Sequence, residues 1–304
     1  MLNNKCLNTN LTSVIVKLKL PTNSFEIYAL NNDPMSLQAE LALEYKALFY
    51  KNIGFKIRTI DNYLNTDYEF LRILESRHSY YEFPYMKMTS SYSTEATFSS
   101  GINEIYKILD TCYPNNSLLQ REHEVKGLEI SILGDWINKA FLLPFLSLMF
   151  FNEHNFSNVI GHMSTFSKMN VIRKTKYNKV LTGHPDKRIA YEKAYQTLNE
   201  EVIPMCIERL NFSYNNGLKF LVDDEPCFAD FVLYSYLKLM KNFAEETLVK
   251  KSQFERFTKS IEEKMPLDLK KHHEKVEYTR NKLNIINNYP KEEVLSRYIK
   301  SNES

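Results

Sequence analysis

An apolar run, Phe25-Glu26-Ile27-Tyr28-Ala29-Leu30, leads through two asparagines into Asp33-Pro34 and then Met35-Ser36-Leu37-Gln38-Ala39-Glu40-Leu41-Ala42-Leu43-Glu44-Tyr45-Lys46. The period changes there from that of a strand to that of a helix. Proline suits the first helical position, where the missing N–H has no helical partner anyway, and the aspartate before it is a favoured N-cap. A strand that turns this sharply into a helix commits the chain to an α/β opening.

The segments that follow extend this pattern. In the helix predicted over 35–50, Leu37, Leu41, Leu43, Leu48 and Phe49 supply most of the apolar face. Residues 55–60 alternate apolar and polar and read as a second strand. A helix near 67–77 comes next, then a strand over 83–88 that begins with Phe83-Pro84, and a short partner strand over 95–98. Ser99 or Ser100 is then placed to cap a helix over 102–109, because a serine oxygen accepts an early backbone N–H. The order is βαβαββα.

From about residue 120 the pattern is helical throughout. Trp136, Ile137 and Phe141 open a long apolar helix with Pro144 inside it, where a kink is expected. Further helices are predicted over 160–179, over 187–210 with a bend at Pro204, and over 228–241. The stretch from Lys270 opens a charged tail, read as helical to about Ile286. The organisation is a polar lead-in (1–23), an α/β domain (24–114), an all-helical domain (120–265) and the tail (266–304), with Pro114, Asn115 and Asn116 marking the main junction.

Bulk properties narrow the function. With 39 basic and 37 acidic side chains the net charge is +2, too small a field to argue for nucleic acid. Only 7 glycines are present, and no phosphate-cradling GxGxxG or GxxxxGK[ST] occurs. Cys6, Cys112, Cys206 and Cys227 are scattered, fit no zinc template and suit a reducing compartment. His272-His273 lacks a second ligand pair, and no Ser-His-Asp arrangement stands out. Residues 1–19 do not read as a signal peptide. The most apolar run, 140–151, is shorter than the ~20 residues a bilayer span requires.

These segments together resemble the glutathione transferase superfamily: a thioredoxin-like α/β domain followed by a helical bundle. Pro34 with Leu41-Ala42-Leu43-Glu44-Tyr45-Lys46 is similar to the family's first helix, and Phe83-Pro84 to its cis-proline step. Ile105, Ile108-Leu109-Asp110 and Tyr113-Pro114 look like the end of its third helix. Phe220-Leu221-Val222-Asp223-Asp224-Glu225-Pro226-Cys227-Phe228-Ala229-Asp230-Phe231 is similar to its "FL-x-G-D-x-P-x-x-A-D-F" stretch, in which Asp230 belongs to a capping box that serves folding. Ile172-Arg173-Lys174-Thr175-Lys176, with Tyr45-Lys46, resembles the fungal and bacterial etherase-like branch.

The resemblance implies a cytoplasmic, detoxifying homodimer with glutathione as co-substrate. Its partner substrate is a small hydrophobic electrophile, held in a cleft lined around Trp136 and Phe141. The glutathione thiolate is the nucleophile, seated over the N-terminus of the first helix, whose N–H groups and dipole favour an anion.

Where the family carries serine, tyrosine or cysteine as its catalytic side chain, this sequence has Asp33. An ionised carboxylate donates no hydrogen bond. Beside a thiolate at about 4 Å it costs roughly 4 kcal/mol at an effective dielectric of 20. The dipole returns only about 0.3–1 kcal/mol. Asp33 is therefore expected to cap the helix, and Ser36 or Tyr28 to supply the activating hydroxyl. The backbone of Phe83, fixed by Pro84, is the expected holder of the cysteinyl part. The acid and serine that hold the γ-glutamyl end fall on Gly101-Ile102, which offer neither group, leaving Ser99 and Ser100 as substitutes. These departures also admit a catalytically silent binding or regulatory module.

Overall fold

The computed structural model describes residues 23–30, 33–50, 53–60, 84–90, 96–119, 124–152, 154–155, 186–265 and 273–274. Labelled in chain order over those residues, the strands are β1 (Asn23–Leu30), β2 (Ile53–Ile60), β3 (Tyr85–Ser90), β4 (Thr97–Ser100) and β5 (His273–Glu274). The helices are α1 (Pro34–Phe49), α2 (Ile102–Cys112), α3 (Glu124–Phe151), α4 (Lys187–Thr197), α5 (Ile203–Asn215), α6 (Phe228–Met240) and α7 (Ser252–Lys264). The helices expected over 67–77 and 160–179, and the lead-in to residue 22, lie outside the described residues.

The sheet order is β4-β3-β1-β2-β5. β1 pairs parallel with β2 (Phe25 opposite Phe55, Ile27 opposite Ile57) and antiparallel with β3 (Tyr28 opposite Tyr85). β3 continues antiparallel to β4, with Met86 opposite Ser99 and Tyr85 opposite Ser100. Parallel β1 and β2 require the crossover that α1 supplies. A short strand from the C-terminal tail, where a helix was expected, pairs Ile57 with His273 along the β2 edge. A paired edge offers fewer open N–H and C=O groups to other chains.

α1 lies between this sheet and the helical half. Ala39, Leu41, Ala42, Leu43 and Tyr45 are all buried, because α2 and β1 cover one side and α6 the other. The helix end projects past that layer, so Leu48 and Phe49 are 47% and 40% exposed, not part of the buried face their spacing suggested. Across the seam, Tyr45 packs edge-on against Phe231 and its hydroxyl donates to Glu225 at 3.0 Å. Tyr106 of α2 packs edge-on against Phe228 of α6.

α3 runs without interruption through Pro144. By length and composition 124–149 is apolar enough to cross a membrane. Ile130, Ile137, Phe141, Phe145 and Leu148 are nevertheless packed into the core. α4 passes into α5 through a π-helical turn, Leu198–Val202. Pro204 follows directly, and the wider turn accommodates a residue that cannot donate to the preceding turn. α7 is amphipathic through Phe254, Phe257 and Ile261.

Two carboxylates, the fully buried Asp230 and the partly exposed Asp110, organise the junctions. Asp230 accepts from Leu221 N–H (2.8 Å), Cys227 N–H (2.9 Å) and the Cys227 thiol (3.0 Å). The thiol thus occupies the place of a capping-box hydroxyl, and the loop before α6 closes onto the helix. Asp110 at the end of α2 accepts from Ser117 Oγ, Leu118 N–H and Leu119 N–H. It also pairs with Lys46 at 2.7 Å, and the Lys46 side chain is fully buried. That ammonium donates further to the carbonyls of Tyr113 (2.7 Å), Asn115 and Asn116 (3.2 Å each).

Replacing Lys46 by Met removes the cation of the pair, leaves Asp110 with only its Ser117, Leu118 and Leu119 donors, and strips three carbonyls of theirs. The expected loss is about 3–5 kcal/mol, read as a lowered midpoint in urea denaturation. Gly134 of α3 faces the ring of Phe228, and a Cβ there would overlap that ring. Gly134→Ala gains up to ~1 kcal/mol of helix propensity. It is expected to lose about 1–3 kcal/mol to overpacking, because Phe228 is itself held against Tyr106; thermal denaturation should show net destabilisation.

Candidate functional site

The N-terminus of α1 is where the sequence concentrates its chemistry. Asp33 has extended backbone (φ −99°, ψ 122°) and caps the helix, with Pro34 beginning it. Its Oδ2 accepts both the Ser36 N–H (2.8 Å) and the Ser36 hydroxyl (2.7 Å). Asp33 remains partly exposed while Ser36, behind it, is buried at 1%. Burial is the main influence on the Asp33 carboxyl and raises its pKa, outweighing the Ser36 hydroxyl and the N–H groups of Ser36 and Met35, which lower it. The charge of Glu40 adds to the rise.

α1 packs against α6 of the helical half. Tyr236 of α6 is fully buried, and its phenol is pushed well above the usual tyrosine value, first by burial and then by the negative field of Asp33. Its hydroxyl donates to Asn138 Oδ1 on α3 at 2.7 Å. Phe141 stacks on the same ring at a centroid distance of 5.0 Å and is wholly buried, so it is core and not the open cleft lining expected of it. Trp136 is partly buried against the core. Gln38, also buried, donates to Ser235 Oγ at 3.2 Å, and its Oε1 has no hydrogen-bond partner among the described residues.

Tyr28 is buried on β1, and its hydroxyl donates to Glu26 at 3.2 Å. Both candidate hydroxyls, Ser36 and Tyr28, therefore donate to carboxylates in this structure.

At the other end of the site the sequence expectation needs correction. Ser99 and Ser100 are strand residues of β4 and do not cap α2. The N-cap is Gly101, with φ 80°, a value that favours glycine, and no side-chain cap bond. Its N–H donates to the Pro84 carbonyl at 3.1 Å. Ile102 is 6% exposed and packs into the core. Pro84 is buried just before β3, and Phe83 lies outside the described residues, as do Arg173, Lys174, Lys176 and His272. Among the described residues no cluster of three or more His, Cys, Asp or Glu side chains could hold a metal.

Tyr236, Asn138 and Gln38 were not singled out from sequence. In the 228–241 pattern Tyr236 is one apolar position among many, and no spacing rule brings it to Asp33.

Residues 173–281 match the family model described as the glutathione S-transferase C-terminal domain. Among solved structures, the chain is similar to a glutathione S-transferase of Ceriporiopsis subvermispora in complex with glutathione (TM-score 0.55, 12% identity, covering 80% of this chain and 97% of that one). It is similar to glutathione transferase F2 from Populus trichocarpa (0.52, 15%, 82% and 98%). It is also similar to the β-etherase LigF from Sphingobium sp. strain SYK-6 (0.52, 16%, 79% and 99%). No curated protein matches the sequence.

Because the Asp33 carboxyl binds its proton more tightly folded than unfolded, its contribution to stability is fully present below the unfolded carboxylate pKa. It is lost as pH rises through the higher folded value. Asp33→Asn keeps a good cap without the charge. The variant is expected to melt above the parent at neutral pH, with the gap closing as pH falls toward the ordinary carboxylate range; a series of thermal melts across pH checks it.

Proposed function

We propose that the chain, whose residues 173–281 match the glutathione S-transferase C-terminal domain, binds glutathione at the α1 N-terminus and joins it through its sulfur to a small hydrophobic electrophile, or cleaves an ether by the same displacement. The observation that carries this reading is the capped, proline-initiated start of α1, a helix that packs along α6 of the helical half. A helix N-terminus favours a sulfur anion. The Phe83-Pro84 step supplies backbone groups for the cysteinyl part, and such contacts need no particular side chain.

Homodimerisation and a cytoplasmic location belong to the same reading. Val125, Leu128 and Ile132 share one face of α3 and are 77%, 62% and 61% exposed, which suits a contact between copies.

A second reading, a silent binding or regulatory module, is favoured by Gly101 and Ile102, which bring no side-chain acid or hydroxyl to the α2 N-terminus. Isothermal calorimetry with glutathione separates the two. The transferase reading predicts saturable heat with a Kd in the millimolar range or tighter; absence of heat at millimolar glutathione leaves the module.

A further inference from the structure

We propose that the C-terminal tail works as a strap: His273 and Glu274, returning from the helical half, hold the outer edge of β2 in cis and keep that edge from pairing with the β2 edge of a second copy. This role stands apart from the α1 N-terminus and from any ligand bound there.

β2 is a strand with an edge to protect. Along its inner side it pairs in unbroken parallel register with β1, from Asn23 opposite Ile53 to Leu30 opposite Ile60. No bulge interrupts that register, and no proline lies within Ile53–Ile60. Bulges and prolines are devices that blunt a sheet edge, so the β2 backbone stays competent to pair. On the outer side β5 is the neighbouring strand. It meets two of the eight β2 positions, with His273 opposite Ile57 and Glu274 opposite Arg58. A two-fold axis between copies brings two β2 edges together antiparallel along their length, and β5 stands in that path.

The strap starts from a fixed point. Met265, just past α7, is buried, and its N–H donates to the Ile261 carbonyl. α7 packs against α5 and α6, so the chain sets out for β2 from the helical half. Residues 266–272 join Met265 to His273, and a link of that length spans at most about 29 Å when fully extended. So short a tether keeps the strap at an effective concentration of millimolar order. Two rungs therefore suffice in cis, although an isolated pair of short strands is marginal in water. The same economy makes the strap releasable, because opening it breaks only those rungs and leaves the eight-residue pairing of β1 with β2 intact. The strap thus ties the helical half to the β2 edge of the sheet and sets when that edge is open.

The test uses the full chain and two double variants. His273→Pro with Glu274→Pro removes both N–H groups, which proline cannot give to a ladder. His273→Ala with Glu274→Ala keeps them. Hydrogen exchange followed by mass spectrometry is expected to quicken about tenfold or more at the outward-facing amides of Ile53–Ile60 in the proline variant. Sedimentation velocity should show, for that variant, larger species that grow with protein concentration and that the parent lacks at the same concentration. The alanine variant should match the parent in both measurements, because backbone pairing needs no particular side chain. Exchange and sedimentation unchanged in the proline variant overturn the proposal. Faster exchange without larger species, or larger species without faster exchange, overturns it too, as does an alanine variant that behaves like the proline one. Should the proline variant fail to fold, the parent decides alone: His273 and Glu274 amides exchanging at the rate of an unprotected peptide overturn the strap, and slowed exchange there supports it.

Discussion

The buried Lys46–Asp110 pair is the constraint on which the two halves depend. An ammonium with no solvent contact is tolerated only when its donors are matched, and here the acceptors come from the end of α2 and the turn that follows it. Asp110 gathers the next residues, 117–119, with its remaining lone pairs. One ion pair therefore fixes α1 against α2 and sets the path on which the chain leaves the sheet. The Leu118 carbonyl then accepts from Phe228 N–H at the start of α6. α1 is consequently held at its far end, and its N-terminus, with Asp33, is aimed at α6 by a lever anchored three turns away.

What the sequence discloses and what it hides divide by the range of the interaction. The β1–α1 turn was legible because period, proline and cap are local signals, and Asp33 does cap the helix. The start of α2 at Ile102 was legible, but β4 lies about two residues further on and the cap is not a serine: serine is a good cap in the abstract, whereas the chain turns at Gly101, with φ of 80° and its N–H on the Pro84 carbonyl. Leu48 and Phe49 have helical apolar spacing, but spacing cannot tell where a packed layer ends. Lys46 is the clearest case. A lone lysine on a helix reads as a solvated charge, and its carbonyl acceptors lie 67 or more residues further along the chain. α7 went unread although Phe254, Phe257 and Ile261 have the right spacing, because the charged residues between them dominate the composition.

The site shows the same division with a chemical consequence. From sequence, Asp33 is an anion in the wrong place, which leaves the neighbouring hydroxyls to activate a thiol. In the folded chain those hydroxyls point at carboxylates, and burial raises the pKa of the aspartate. The sign of its contribution therefore depends on its protonation state, which a sequence does not carry. Tyr236 sharpens this, since a buried phenol whose hydrogen is already given to Asn138 adds no positive field that would hold Asp33 ionised.

The two departures, at Asp33 and at Gly101-Ile102, act on different quantities. A hydrogen bond to a charged group contributes about 1.5–3 kcal/mol, so a missing side-chain anchor for the γ-glutamyl end weakens binding by roughly 10- to 100-fold. That loss falls on ground state and transition state alike, and raises KM without slowing the chemical step. The carboxylate acts on the other quantity, because its charge beside a thiolate would oppose ionisation of the sulfur while its bonds to Ser36 cap the helix. A chain with both departures is thus physically consistent with an enzyme that holds its thiol loosely and with a module that has lost the ligand, because helix capping accounts for the Asp33 carboxyl in either.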